Sequence, residues 1–226
     1  ELMLELVTDI KTWKRWVLSL NNQTYYNYID KQTIPIVFIH GVGLDHKMWS
    51  PQIDYFKKFS TITYDLLGHG RTPFKKKQIK MNDYVEQLSS IIKFLKLEKI
   101  NLVGFSIGSL IALNFAADFQ NKLNSLTLIA TTYKRTEEQR QTVIDRVNLA
   151  KLNKPISQLA MKRWFTDEYL EKNPNIYEEF TKILTKDGED QKNFIKAYEL
   201  FAHYKDNLEK IKKINTKTLV MTGSID

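Results

Sequence analysis

The chain has 226 residues, 42% hydrophobic and 27% charged, the make-up of an ordinary globular protein with one sizeable core or a core and a small lobe. It contains no cysteine, which excludes disulfides, thiolate nucleophiles and zinc–thiolate sites together. The net charge is +8, from 34 Lys and Arg against 26 Asp and Glu, but the lysines are dispersed, and the one dense run, Lys75-Lys76-Lys77, has no interleaved aromatics, so no nucleic-acid partner is expected.

In chain order, Val17–Leu20 and Thr24–Ile29 flank Asn21-Asn22-Gln23 and predict a β-hairpin. Ile34–Ile39 is a β-branched run of the fully buried kind that ends at His40-Gly41-Val42-Gly43, and a helix is expected over Trp49–Phe59. Thr61–Asp65 reads as the next strand, stopped by Gly68 and Gly70. With Asn82 as N-cap, Tyr84, Val85, Leu88, Ile91, Ile92 and Leu95 share one helical face.

The apolar run Ile100–Val103 then enters Gly104-Phe105-Ser106-Ile107-Gly108, and an alanine- and leucine-rich helical run follows at once. Strand, tight turn and helix in that order lift a serine out of the sheet, with the next backbone N–H pointing into the same space. Ser106 is therefore the candidate nucleophile and the Ile107 N–H a candidate oxyanion donor. Leu126–Ile129 is a further strand. From about Tyr133 to Lys205 only helical stripes occur, among them Val143/Ile144/Val147, Ile176/Phe180/Ile183/Leu184 and Phe194/Tyr198/Phe201; strand character resumes at Thr218–Met221. Alternating strands and helices predict an α/β fold, a mostly parallel sheet with helices on both faces. Residues 13–132 and 206–226 would form its core, and 133–205 a helical lid inserted between two strands, over the carboxyl edge where such sheets bind ligands.

Four ordered stretches, His40-Gly41-Val42-Gly43-Leu44-Asp45 with Trp49, Asp65-Leu66-Leu67-Gly68-His69-Gly70-Arg71-Thr72, Gly104–Gly108 and Thr222-Gly223-Ser224-Ile225-Asp226, resemble the motifs of the α/β-hydrolase superfamily, its serine hydrolases in particular. The lid segment Arg163-Trp164-Phe165-Thr166 is similar to the 3-oxoadipate enol-lactonase group. The second motif departs from the family pattern at Leu67, where arginine is common, and at Thr72, where serine is common.

The resemblance implies a serine hydrolase acting on a small carboxylic ester or lactone, 3-oxoadipate enol-lactone among them, without cofactor or metal. It assigns Asp226 as the triad acid and the Val42 N–H as the second oxyanion donor, and makes Asp65 a turn former. Trp164 and Arg163 become substrate-binding candidates, against plain readings as lid core and solvated arginine. A carbon–carbon bond hydrolase, a thioesterase and a cofactor-free haloperoxidase share this machinery, and a non-catalytic ligand-binding homologue is the alternative of another class.

The family order is serine, acid, histidine, whereas His40, His46, His69 and His203 all precede Asp226. His40 and His69 belong to structural motifs, and His46 and His203 are expected at the surface or in the lid. The catalytic histidine is expected some tens of residues beyond Asp226, with the last strand and helix of the fold. The chain thus reads as a fragment that would not turn over by itself. No apolar run of membrane-spanning length and no signal-peptide pattern is present, so the expected location is cytoplasmic, without a membrane partner.

Overall fold

The computed structural model describes residues 14–19, 22–154 and 156–223. Strands β1 (Lys14–Ser19) and β2 (Asn22–Ile29) pair antiparallel, with Ser19 opposite Asn22; residues 20–21 between them lie outside the described residues. β2 also pairs antiparallel with β4 (Thr61–Tyr64). From β4 onward the sheet is parallel, through β3 (Ile36–Ile39), β5 (Ile100–Phe105), β6 (Leu123–Ile129) and β7 (Thr218–Met221). The order across it is β1-β2-β4-β3-β5-β6-β7. From β3 the chain adds β4 on one side, and then β5 and β6 on the other. The winding reverses between β3 and β5, which makes the carboxyl ends of those two strands the expected ligand crevice.

Helices cover the sheet: α1 (Ser50–Tyr55), α2 (Met81–Phe94) and α3 (Ile107–Phe119). The stripe Tyr84, Val85, Leu88, Ile91 and Ile92 of α2 is buried, as its period predicts, and packs with Ile111 and Phe115 of α3 against Val37, Ile62 and Leu102 of the sheet. All four residues of β4 are buried, the pattern of a strand covered on both faces.

Two boundaries differ from the sequence expectation. The helix expected over Trp49–Phe59 is a 3₁₀ turn, His46–Trp49, followed by the short α1. α1 buries no residue, and Tyr55 is 82% exposed, so no apolar face sustains it further. α2 starts one residue before Asn82, because the Asp83 carboxylate reaches back to the Lys80 N–H at 2.8 Å. Asn82 instead donates to Glu86.

Between β6 and β7 the chain forms α4 (Glu137–Lys151), α5 (Ser157–Trp164), α6 (Asp167–Lys172), α7 (Pro174–Leu184), α8 (Gly188–His203) and α9 (Leu208–Ile211). α4 is opened by a capping box: the Thr136 hydroxyl accepts from the Gln139 N–H, and the Gln139 side chain accepts from the Thr136 N–H. The helices hold together through two apolar clusters. Val143 and Val147 of α4 meet Phe194 and Tyr198 of α8. Ala160 and Met161 of α5 meet Leu184 of α7, with Trp164, Phe165 and Phe180 packed around them.

Both clusters reach the sheet's carboxyl edge. The first packs on Val42 and the second on Phe105, the residue before Ser106, and includes Leu44. A Cβ on Gly43 would lie 2.9 Å from the Phe194 ring, and one on Gly68 the same distance from the Asn193 Cβ. At the far side of the sheet, Leu219, Val220 and Met221 of β7 are 55%, 60% and 47% exposed. Among the described residues no helix is long and apolar enough to cross a membrane.

Candidate active site

Ser106 sits between the last residue of β5 and the first of α3 with φ 56° and ψ −118°. This is the geometry of the first central residue of a II′ turn, where glycine is the usual occupant. A serine held there stores about 1–3 kcal/mol of backbone strain, which persists only if its surroundings over-determine it. They do. The Ser106 N–H donates to Ile129 O at 2.9 Å, and Ser106 O accepts from the N–H of Ser109 at 2.9 Å and from its hydroxyl. A Cβ on Gly104 would overlap the Gly108 carbonyl, and a Cβ on Gly108 would lie 2.5 Å from Ile39 O and 2.7 Å from His40 O. The backbones of β3, β5 and the start of α3 are therefore in direct contact, and the serine is pinned at their junction.

Ile107 is the first residue of α3 and is fully buried. Its N–H is one of the amides a helix leaves without an intrahelical acceptor, so it is available at the corner beside Ser106. Opposite, the chain leaving β3 turns through Gly41–Leu44, with the Leu44 N–H bonded to Gly41 O at 3.2 Å and Gly43 at φ 79°. Val42 lies in this turn.

The histidines are accounted for one by one. His40 is buried; its Nε2 accepts the Leu66 N–H at 2.9 Å, so its Nδ1 carries the proton and donates to Gly41 O at 2.8 Å. Burial pushes its pKa down, and with both nitrogens engaged it is a neutral structural link between the two loops. His69 is buried too, and burial, with the neighbouring His40, takes its pKa down to about 3. It donates from Nδ1 to Leu67 O at 3.1 Å. His203 is exposed at the end of α8.

His46 departs from its expected surface or lid place. Its side chain is 10% exposed, its ring lies 4.9 Å from that of Tyr25, and its Nδ1 is 2.7 Å from Asp65 Oδ1. The partner is 19 residues away, which no local pattern encodes. Among the described residues, no hydrogen bond joins Ser106 to any of the four histidines.

Asp65 is the knot of the second loop. Its buried carboxylate accepts the His46 and Arg71 backbone N–H groups, each at 2.9 Å, as well as the His46 ring. Gln87 of α2 ties the same turn down, donating to Asp65 O and accepting from the Leu67 N–H. Burial pushes the Asp65 pKa up, but the His46 hydrogen bond and charge outweigh it, and the net shift is downward. A depressed folded pKa gives stability that is present above the unfolded value, near 4, and is lost as pH falls through the folded value. Asp65→Asn is therefore expected to cost about 3–5 kcal/mol at pH 7 and to flatten the loss of stability below about pH 4. Urea unfolding of both proteins at several pH values checks this; parallel pH profiles would refute it.

Trp164, at the end of α5, is half-buried in the cluster that also packs Phe105, its ring edge-on to Phe180 at 6.3 Å. Arg163 is exposed, its guanidinium 5.8 Å from the Trp164 ring. Asp226 lies outside the described residues. Three arginines that the sequence did not single out, Arg135, Arg140 and Arg146, are half-buried together in the cap. Arg135 is six residues past the end of β6, and no periodic signal marks it.

The fold and this corner define a class, and comparison with known proteins agrees. The family described as alpha/beta hydrolase fold matches residues 34–226. The chain is 31% identical over 211 residues to (E)-2-((N-methylformamido)methylene)succinate hydrolase of Acinetobacter baylyi, covering 91% of this chain and 78% of that protein. It is 25% identical over 192 residues to 3-oxoadipate enol-lactonase 2 of the same organism, covering 84% and 71%. The enol-lactonase from Burkholderia xenovorans LB400 superposes with a TM-score of 0.82 at 20% identity, covering 93% of this chain and 81% of that one, which speaks to the fold. The chain belongs to the α/β-hydrolase fold family. It is a member of a hydrolase family, related to enzymes that include enol-lactonases.

Proposed function

We propose that this protein is a serine hydrolase that cleaves a small carboxylic ester or lactone through an acyl-enzyme on Ser106. The observation that carries the reading is the strained φ 56°, ψ −118° of Ser106 at the β5–α3 corner, a cost with no packing benefit of its own. In this reading Ser106 Oγ attacks the carbonyl carbon while a general base takes its proton. The Ile107 and Val42 N–H groups receive the oxyanion. Collapse of the tetrahedral intermediate breaks the ester C–O bond, and the base returns the proton to the leaving oxygen, which in a lactone stays tethered to the acyl group. Water then attacks the acyl-enzyme by the same route and frees Ser106.

Asp226 is the proposed acid that orients the base. The base is not among the four histidines, because His40, His46 and His69 are committed to the loops and His203 is exposed at the end of α8. Trp164 is proposed to border the acyl pocket, and Arg163 to meet a substrate at its rim. The substrates named for the two relatives, a substituted succinate and an enol-lactone of 3-oxoadipate, support a small carboxylic substrate, and 3-oxoadipate enol-lactone is the first to try.

The test is covalent labelling with a fluorophosphonate, the modified residue being located by peptide mass spectrometry. Labelling of the protein at Ser106, blocked by prior incubation with a hydrolysable substrate, is the expected result. A non-catalytic binding homologue would leave Ser106 unlabelled while other surface serines react no less.

A further inference from the structure

The chain leaves β6 beside Ser106, at the Ile129 carbonyl that holds the Ser106 N–H, and runs past Thr131 and Arg135 into α4. Along this stretch buried polar atoms lack hydrogen-bond partners among the described residues: Thr131 Oγ1, Arg135 Nη2 and Arg146 Nε. The remainder of the Arg135 side chain is held in place. Its Nη1 donates to Phe201 O at 2.6 Å, and its guanidinium lies 4.0 Å above the Phe201 ring. Arg140 alongside spends Nη1 on the Ala202 and Tyr204 carbonyls.

Three guanidinium groups thus gather, with one carboxylate close to Arg135, that of Asp206, whose Oδ2 accepts the Lys134 N–H. Among the described residues, the ion pair this group makes is Arg140 Nε with Glu137 at 3.8 Å, and Glu137 is 93% exposed. Burial lowers the Arg135 pKa, and the charges of Arg140 and Arg146 lower it further against the opposing charge of Asp206. Burial raises that of Tyr198, whose hydroxyl Arg146 and Arg135 approach closely enough to oppose the shift. Arginine does not shed its proton in proteins, so three half-buried guanidinium groups facing one nearby carboxylate and the exposed Glu137 remain costly until a further anion meets them.

The position of the group suggests which anion. Tyr198 and Phe201 belong to the cap cluster that packs on Val42, in the loop opposite Ser106. We propose that Arg135 and Arg146, with the Tyr198 hydroxyl, bind a carboxylate of the substrate remote from the bond that is cleaved, so that the preferred substrate is an anionic ester or lactone. Planar guanidinium forks match a carboxylate, which can accept two parallel N–H donors. The proposal rests on the Ser106 reading for what is cleaved, and not for what is bound.

Two measurements separate those parts. The first is thermal stabilisation by glutarate, a dicarboxylate probe that needs no chemistry. Wild-type protein is expected to be stabilised at millimolar glutarate, and Arg146→Gln and Arg135→Gln to lose about tenfold to a hundredfold in apparent affinity, as befits a charge-assisted hydrogen bond. Arg135→Lys should recover part of it. Arg135→Gln also removes the bond to Phe201, so circular dichroism must show a native fold; if it does not, Arg146→Gln carries the test. The second is the ratio of kcat/KM for the 4-nitrophenyl hemiester of glutarate over that for 4-nitrophenyl acetate, expected to fall at least tenfold in both variants. No glutarate stabilisation in the wild type overturns the proposal, and so does a loss confined to Arg163→Gln. Stabilisation without hydrolysis of either ester would leave the carboxylate site standing and sink the Ser106 reading alone.

Discussion

Ser106→Ala is expected to lower ester or lactone turnover of the protein by about 10³-fold or more, since removing a triad nucleophile leaves only binding and oxyanion stabilisation. The loss should fall on kcat, with KM little changed, because the hydroxyl contributes to bond making and not to holding the substrate. Ser106→Gly separates chemistry from strain. It removes the same hydroxyl but relaxes a residue at φ 56°, ψ −118°, a region that glycine enters freely. Relief of about 1–2 kcal/mol corresponds to a Tm rise of about 2–8 °C for a chain of this size. The glycine variant should thus be more stable than wild type and as inactive as the alanine variant. Ester kinetics and thermal unfolding of the three proteins decide it. A Ser106→Ala protein with wild-type turnover would remove Ser106 from the mechanism, and a glycine variant less stable than wild type would remove the strain.

What the sequence disclosed and what it hid differ in range. The buried strands around Ile36–Ile39, Thr61–Tyr64 and Ile100–Phe105 show as apolar runs, and the α2 face as a 3.6-residue stripe, because burial there is set by local spacing. The Ser106 corner was legible for a similar reason: its glycines, serine and following helix are contiguous. The family and the parallel sheet follow from these, and both match the observed fold.

Contacts between distant segments carried no such mark. His46 meets Asp65 across 19 residues, and Arg135 meets the Phe201 carbonyl across 66. A lone histidine or arginine in the sequence looks like surface, and only the folded chain shows that one is locked in a loop and the other half-buried beside like charges. Arg163, singled out for its place in a family-like segment, is exposed. The role of Asp226 rests on motif order alone, since it lies outside the described residues.

Gly104→Ala and Gly108→Ala are expected to cost about 3 kcal/mol or more each, at the upper end of overpacking effects, and to lower Tm by about 6–12 °C. The reason is what the added methyl would meet. At Gly104 it overlaps the Gly108 carbonyl, and at Gly108 it comes within 2.5–2.7 Å of the Ile39 and His40 carbonyls. These are backbone atoms of α3 and β3, so no side-chain rotation makes room; the helix must move off the sheet. Gly188, at the start of α8, is the control: its φ is +49°, but a Cβ there meets nothing within 4 Å. Its replacement by alanine should cost only the left-handed backbone penalty, about 1 kcal/mol. Urea unfolding with an unchanged m-value reads the three costs directly. The two corner variants should also lose fluorophosphonate labelling at 25 °C under conditions where both remain folded, because shifting α3 moves the Ile107 N–H away from Ser106. If Gly104→Ala and Gly108→Ala cost no more than Gly188→Ala, the close backbone contact does not hold the corner. The geometry assigned to Ser106 would then need another source.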